Sequence, residues 1–234
     1  KFSGSFLGRI GNAASASIAH LHGEGNPERL RYWGLRIMQT VLWLLAIFTG
    51  CFLALNKEFI SLWIGVQFYA GFINNGFIIL WISALLVMNL LNILVFSTGA
   101  IAQSSKINIV YTLLLVPAII SGIYFAGIRG LAIGGLTATV LVLYFYQWPL
   151  FQRTFNFRKK DQLSLVRESV ITILPVITAV FASTLFHADS WLLFIGKAIG
   201  CSAIIICMLA IFSHEFKNTL LELVKTKSLF GERP

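Results

Sequence analysis

The sequence predicts an all-α polytopic membrane protein of seven transmembrane helices, and three observations predict it. The 234 residues are 57% hydrophobic and only 12% charged, with a mean hydropathy of +0.82; soluble domains carry about twice that charge. Apolar runs long enough to cross a hydrocarbon core of about 30 Å recur along the chain. The bases fall in the connections between those runs, which is how membrane proteins encode orientation. Backbone groups in lipid must bond within their own segment, so the runs read as helices. The short alternating segments of a barrel are absent from the sequence.

The first span covers about residues 2–21. It is rich in Gly, Ala and Ser and carries Arg9 and Asn12. A polar turn follows, in which Asn26, Pro27 and Glu28 form a helix-start signal: a capping side chain, a proline at the first position and an acid in the first turn. The second span is about 33–55. The connection 56–76 holds Phe59, Leu62, Trp63, Phe68 and Tyr69, and that aromatic density suggests a segment lying in the membrane interface. The third span is about 77–96, with Asn89 and Asn92 toward its end. The fourth is 107–126, with Pro117.

The fifth span, about 130–150, opens on the stretch Gly127 to Thr139. Gly130, Gly134 and Ala138 recur every four residues and make one smooth stripe, which lets another helix approach closely. Arg129, just before the stripe, marks contact with water. A basic loop follows with Arg153, Arg158, Lys159, Lys160 and Arg167. The sixth span is about 170–186, with Pro175, and the seventh about 191–212. From His214 on, Phe216, Leu220, Leu223 and Val224 share one face of an amphipathic helix expected on the inner membrane surface.

Three segments result: 1–150 with five helices, 151–213 with the basic loop and two more, and 214–234 as a tail. Alternating sides puts thirteen bases in one set of connections and three in the other, with Arg9 and Lys197 inside spans. The richer set reads as cytoplasmic, so the C-terminus does too. The net charge of +9 is therefore an orientation signal, and no nucleic-acid partner is expected. Cys51, Cys201 and Cys207 sit in apolar runs without metal-ligand spacing and read as small buried hydrophobes. No metal site, cofactor or nucleophile–base pair stands out. The nearest approach to catalytic chemistry is His187 with Asp189, on a turn between two helices.

Five residues are the candidate substrate-binding set: Arg9, Ser5, Asn12, Asn89 and Asn92. Ser5, Arg9 and Asn12 share a helix face, and a guanidinium within a span belongs against a water-filled cavity or a protein interior. Arg9 binds an anion bidentately in one reading; in the other it snorkels outward or pairs with an acid from outside this chain. Asn89 and Asn92 face one way and either line a cavity or clamp a neighbouring helix. No Asp or Glu lies within any span as drawn, so Arg9 lacks an intramembrane counter-charge and a carboxylate-based ion site is not expected. Lys197 is expected to snorkel to the outer interface.

Three stretches, in order, carry a family resemblance. Gly127-Ile-Arg-Gly-Leu-Ala-Ile-Gly-Gly-Leu-Thr-Ala-Thr139 resembles a late helix of polysaccharide exporters. Gly8 to Asn26, ending in Gly-Glu-Gly-Asn, looks like the second helix of a half running into a cytoplasmic turn. Leu62-Trp-Ile-Gly65 looks like that family's Leu-Trp-Leu-Gly segment. The family is the multidrug/oligosaccharidyl-lipid/polysaccharide flippase superfamily, and the chain resembles its O-antigen type. Leu131 and Gly135 depart from the usual alanines.

The resemblance implies the C-terminal half of a fourteen-helix exporter, five helices of a lobe plus the two final ones. The chain's opening on Lys1 rather than Met fits a polypeptide whose N-terminal half is missing here. The resemblance further implies outward transfer of undecaprenyl-diphosphate-linked oligosaccharide across the inner membrane by alternating access, with no enzymatic step. Its partners would be membrane lipid, the lipid-linked oligosaccharide and the missing half. The alternatives are a multidrug or other solute antiporter of the same superfamily and, from a different class, an integral-membrane sugar or acyl transferase.

Overall fold

In the computed structural model the backbone is described for residues 2–230 and the side chains for residues 12–222. Among the described residues the chain is helical apart from short turns, with no strand. The helices are α1 (Phe2–Gly23), α2 (Pro27–Trp63), α3 (Phe72–Ser97), α4 (Ile101–Val142), α5 (Trp148–Thr154), α6 (Lys159–Thr184), α7 (Trp191–Phe212) and α8 (His214–Phe230). A π-turn, Leu143–Gln147, joins α4 to α5, and a single 3₁₀ turn, Val66–Phe68, precedes α3. Five stretches among the described residues are long and apolar enough to cross a membrane: α2, α3, the continuous 101–154 stretch, α6 and α7. The seven-span reading adds α1 and divides the 101–154 stretch in two.

The chain forms two compact units, one of residues 1–41 and 70–162, the other of residues 42–69 and 163–234. In the first unit α4 is physically a hairpin. Ala126 and Gly127 leave helical geometry (φ −142° and +57°). A Cβ placed on Gly130 would lie 1.7 Å from the Gly122 carbonyl oxygen, and one on Gly134 would lie 2.1 Å from that of Ala118. Residues eight and sixteen apart do not touch in a straight helix, where each residue rises about 1.5 Å. Farther from the tip, Tyr111 meets Thr139 through their hydroxyls at 3.3 Å, and Ile107 packs with Val142 and Met88. The smooth stripe of Gly130, Gly134 and Ala138 therefore has a partner: the preceding arm of the same hairpin. Gly135, next to it, leaves room for the Trp81 indole of α3, whose Nε1 donates to Thr139 at 3.1 Å.

Contacts inside this unit also match the helix ends expected on each side. Asn26 caps α2, its Oδ1 accepting from the Arg29 amide at 3.1 Å. Nearby, Glu28 pairs with Arg31 and accepts from Arg158 at 2.5 Å, while Arg31 stands 3.6 Å from Asp161. At the opposite end Arg129 donates to Asn74 at 2.8 Å.

The second unit packs the later part of α2 antiparallel to α7. Cys51 lies 3.3 Å from Ser202, Ala54 and Leu55 cluster with Cys201, and Phe59 meets Trp191 and Phe194. Gly50 leaves room for Ile205. A carboxylate ties each end. At one end Glu168 of α6 is 0% exposed; its Oε2 accepts from Trp43 Nε1 at 3.2 Å and from the Ser213 hydroxyl at 2.7 Å. The same Ser213 oxygen accepts from the Phe216 amide at 3.1 Å and so caps α8. Phe216 then packs edge-on against Trp43. At the other end Glu58 pairs with Lys197, which also donates to the Phe186 carbonyl at 2.5 Å.

These ends correct the sequence reading. α2 runs to Trp63, through much of what was expected to be an interfacial connection, because the run 56–63 packs Phe59 on α7. α6 starts at Lys159 rather than near residue 170. Glu58 and Glu168 therefore lie inside helices, Glu168 buried and Glu58 partly buried. Lys197 does not snorkel: its side chain is 8% exposed and bonded to Glu58.

Candidate functional site

Helices α1 and α3 pack along each other in the first unit and leave a groove of about 410 Å³ between them. α1 supplies Asn12, Ser15 and Ala19; α3 supplies Asn92, Phe96 and Ser97. Small residues on α1 keep it open: Ala16 and Ala19 line it where larger side chains would fill it. Behind the groove α3 is anchored by Leu90, Leu91, Leu94 and Val95, all 2% exposed or less.

Two of the five candidate residues meet here. Asn12 and Asn92, eighty positions apart in sequence, line the same groove from facing helices. Asn92 also reaches across to α4, its Nδ2 donating to Asn108 Oδ1 at 3.3 Å, while its own Oδ1 is buried without a hydrogen-bond partner. Both of the proposed roles for Asn92, lining a cavity and clamping a helix, thus fall to one side chain. Asn89 is exposed and is not among the residues lining the groove. Ser5 and Arg9 lie in α1 but outside the residues whose side chains are described. Ser15 continues the polar face of α1 that the sequence shows, and Ser97 is a groove residue that sequence reading did not select. Each donates to a carbonyl of its own helix, Asn12 and Leu94, at 2.7 Å. Ser15 stands three residues after Asn12 and shares its face, whereas Ser97, five residues after Asn92 and about 140° around the helix from it, had no spacing signal.

The described lining residues carry no charge. Amides and hydroxyls offer donors and acceptors together, which suits a neutral polar ligand; a charge for an anionic one would have to come from Arg9. Among the described residues no group of His, Cys, Asp and Glu is arranged to hold a metal. His187 lines a separate cavity in the second unit, also of about 410 Å³, beside Lys197 and Cys201. No family model, curated protein or solved structure matches this chain.

Proposed function

We propose that the chain is one lobe of a membrane exporter that moves a lipid-linked oligosaccharide outward, its α1–α3 groove forming part of the wall of the transport path. The observation that carries this reading is the meeting of Asn12 and Asn92 in a polar groove between two membrane helices. Lipid-facing grooves have little use for amide side chains, whereas a hydrated path uses them. The sugar hydroxyls would meet the amides and serines, and the diphosphate would meet Arg9, three positions before Asn12 on α1. The thirteen-to-three distribution of bases supports a cytoplasmic C-terminus.

The seven-span topology is part of the proposal. Its support is the α4 hairpin, which supplies two antiparallel arms where the sequence has two apolar runs. In the full-length protein, Arg9→Ala is expected to abolish export of surface polysaccharide and Arg9→Lys to retain some. Normal surface polysaccharide from a well-expressed Arg9→Ala protein would defeat the assignment.

A specific observation favours a second reading, a solute antiporter of the same superfamily. Glu168 is buried and Glu58 partly buried within helices, and enclosed carboxylates are the groups from which proton and sodium sites are built. Against it, both are occupied structurally, Glu58 by Lys197 and Glu168 by Trp43 and Ser213. Transport of a cationic dye that is lost in Glu168→Gln while surface polysaccharide is unchanged would select the antiporter.

A further inference from the structure

The cavity beside Lys197 changes character along its length. It lies within the second unit, between the end of α6, the turn that follows and α7, and measures about 410 Å³. Phe186, His187 and Ala188 of the turn line one end, and Ile204 is the lining residue farthest along α7. Leu192 to Ile204 is roughly 18 Å of helix. The middle is bare: a Cβ added at Gly196 or Gly200 would meet nothing within 4 Å. Leu192 and Leu193 line the cavity and are still 80% and 56% exposed, so it opens onto the surface of α7.

Polar groups gather at the turn. Lys197 is 8% exposed, and its ammonium bonds Glu58 and, at 2.5 Å, the Phe186 carbonyl. An ammonium has three N–H groups, so one remains for the cavity that Lys197 lines. The His187 ring is the second polar group there. Trp191 packs with Phe59 and Phe194 near the same turn, as aromatic residues do where membrane meets water. Toward Ile204 the wall is Gly200 and Cys201, small and apolar in behaviour. α6 and α7 are both long and apolar enough to cross a membrane. The turn between them then stands at the interface, and the cavity runs from it toward the hydrocarbon.

We propose that this cavity holds one acyl chain of a membrane phospholipid with a zwitterionic, amine-bearing head, whose phosphate accepts from Lys197 and His187. Its width selects a chain. Divided over that length, 410 Å³ gives a section of about 23 Å². A helix 10–12 Å across needs about 80–110 Å², whereas a file of methylenes roughly 4–5 Å thick at van der Waals contact needs about 16–20 Å². The polar-to-apolar order also matches a lipid, head at the interface and chain inward. Charge selects the head. Lys197 and Glu58 cancel, and Asp189 in the same turn leaves a negative charge that suits an ammonium and disfavours an anionic head. The site does not depend on the transport reading.

Native mass spectrometry of the full chain, released from nanodiscs of phosphatidylethanolamine and phosphatidylglycerol in equal parts, tests it. One phosphatidylethanolamine is expected to stay with each chain. Gly196→Leu/Gly200→Leu fills the cavity without displacing protein atoms, and is expected to lower the retained fraction severalfold with no fall in thermal midpoint. His187→Ala is expected to weaken the preference for phosphatidylethanolamine. No retained phospholipid would overturn the proposal, as would a preference for phosphatidylglycerol or equal retention by the folded double variant. Should that variant not fold, Gly200→Leu alone is expected to lower retention. An isoprenoid diphosphate carried over from the cell in the phospholipid's place would give the site to a transported lipid and also overturn it.

Discussion

Gly130→Leu is expected to destabilise the protein by about 3 kcal/mol, at the upper end of what overpacking normally costs. The reason is the hairpin. A Cβ at this position would fall 1.7 Å from a backbone carbonyl oxygen, that of Gly122. A flexible side chain could turn away from the intruding group. A helix backbone cannot, so the two arms must part and give up the Tyr111–Thr139 contact and the packing of Ile107 on Val142. The control is Gly200→Ala on α7. An added Cβ there meets nothing within 4 Å, and removing a helical glycine gains about 0.4–1 kcal/mol where the backbone tolerates it. Thermal midpoints in detergent compare the two directly. If Gly130→Leu behaves like Gly200→Ala, the arms of α4 are not in contact.

The second large effect is expected at Lys197. Lys197→Met removes the partner of Glu58 and leaves that carboxylate partly buried and unpaired, with Glu58 at 15% exposure and one of its oxygens already without a hydrogen bond. Breaking a buried ion pair by removing one member costs about 3–5 kcal/mol, whereas replacing both members with apolar or neutral groups is often near neutral. Glu58→Gln/Lys197→Met should therefore recover most of the stability that Lys197→Met loses. A double variant as unstable as the single one would mean that the lost packing of the lysine stem, not the stranded carboxylate, accounts for the loss.

The sequence made the apolar runs, the Asn26 cap and the small-residue stripe legible, because hydropathy, capping chemistry and helical period are local properties. The partner of the stripe was not legible. It depends on a reversal at Ala126 and Gly127, and a glycine before a charged residue marks a turn without saying how closely the arms then pack. The buried acids were missed for a different reason. Hydropathy windows mark where lipid is crossed, not where helices end, so Glu58 and Glu168 fell just outside the spans drawn at residues 55 and 170. Contacts with protein accompany the helices there: Phe59 packs on α7, and Glu168 is enclosed by Trp43 and Ser213.

In the groove, the polar character of Asn12 and Asn92 was readable from their types and spacing. Their meeting was not, because it depends on which faces α1 and α3 turn toward each other. Ser97 is an ordinary serine in sequence and becomes a groove residue only through that packing.

The central claim is that the groove between α1 and α3 faces water rather than lipid. In the full-length protein in native membranes, with Cys51, Cys201 and Cys207 replaced, the most direct measurement is the rate at which a charged, membrane-impermeant maleimide labels Asn92→Cys. The account predicts labelling at a rate close to that of a cysteine placed in the polar turn at Gly25, and slower labelling when substrate occupies the path. Labelling by a lipid-soluble maleimide alone, with none by the charged reagent, would contradict it.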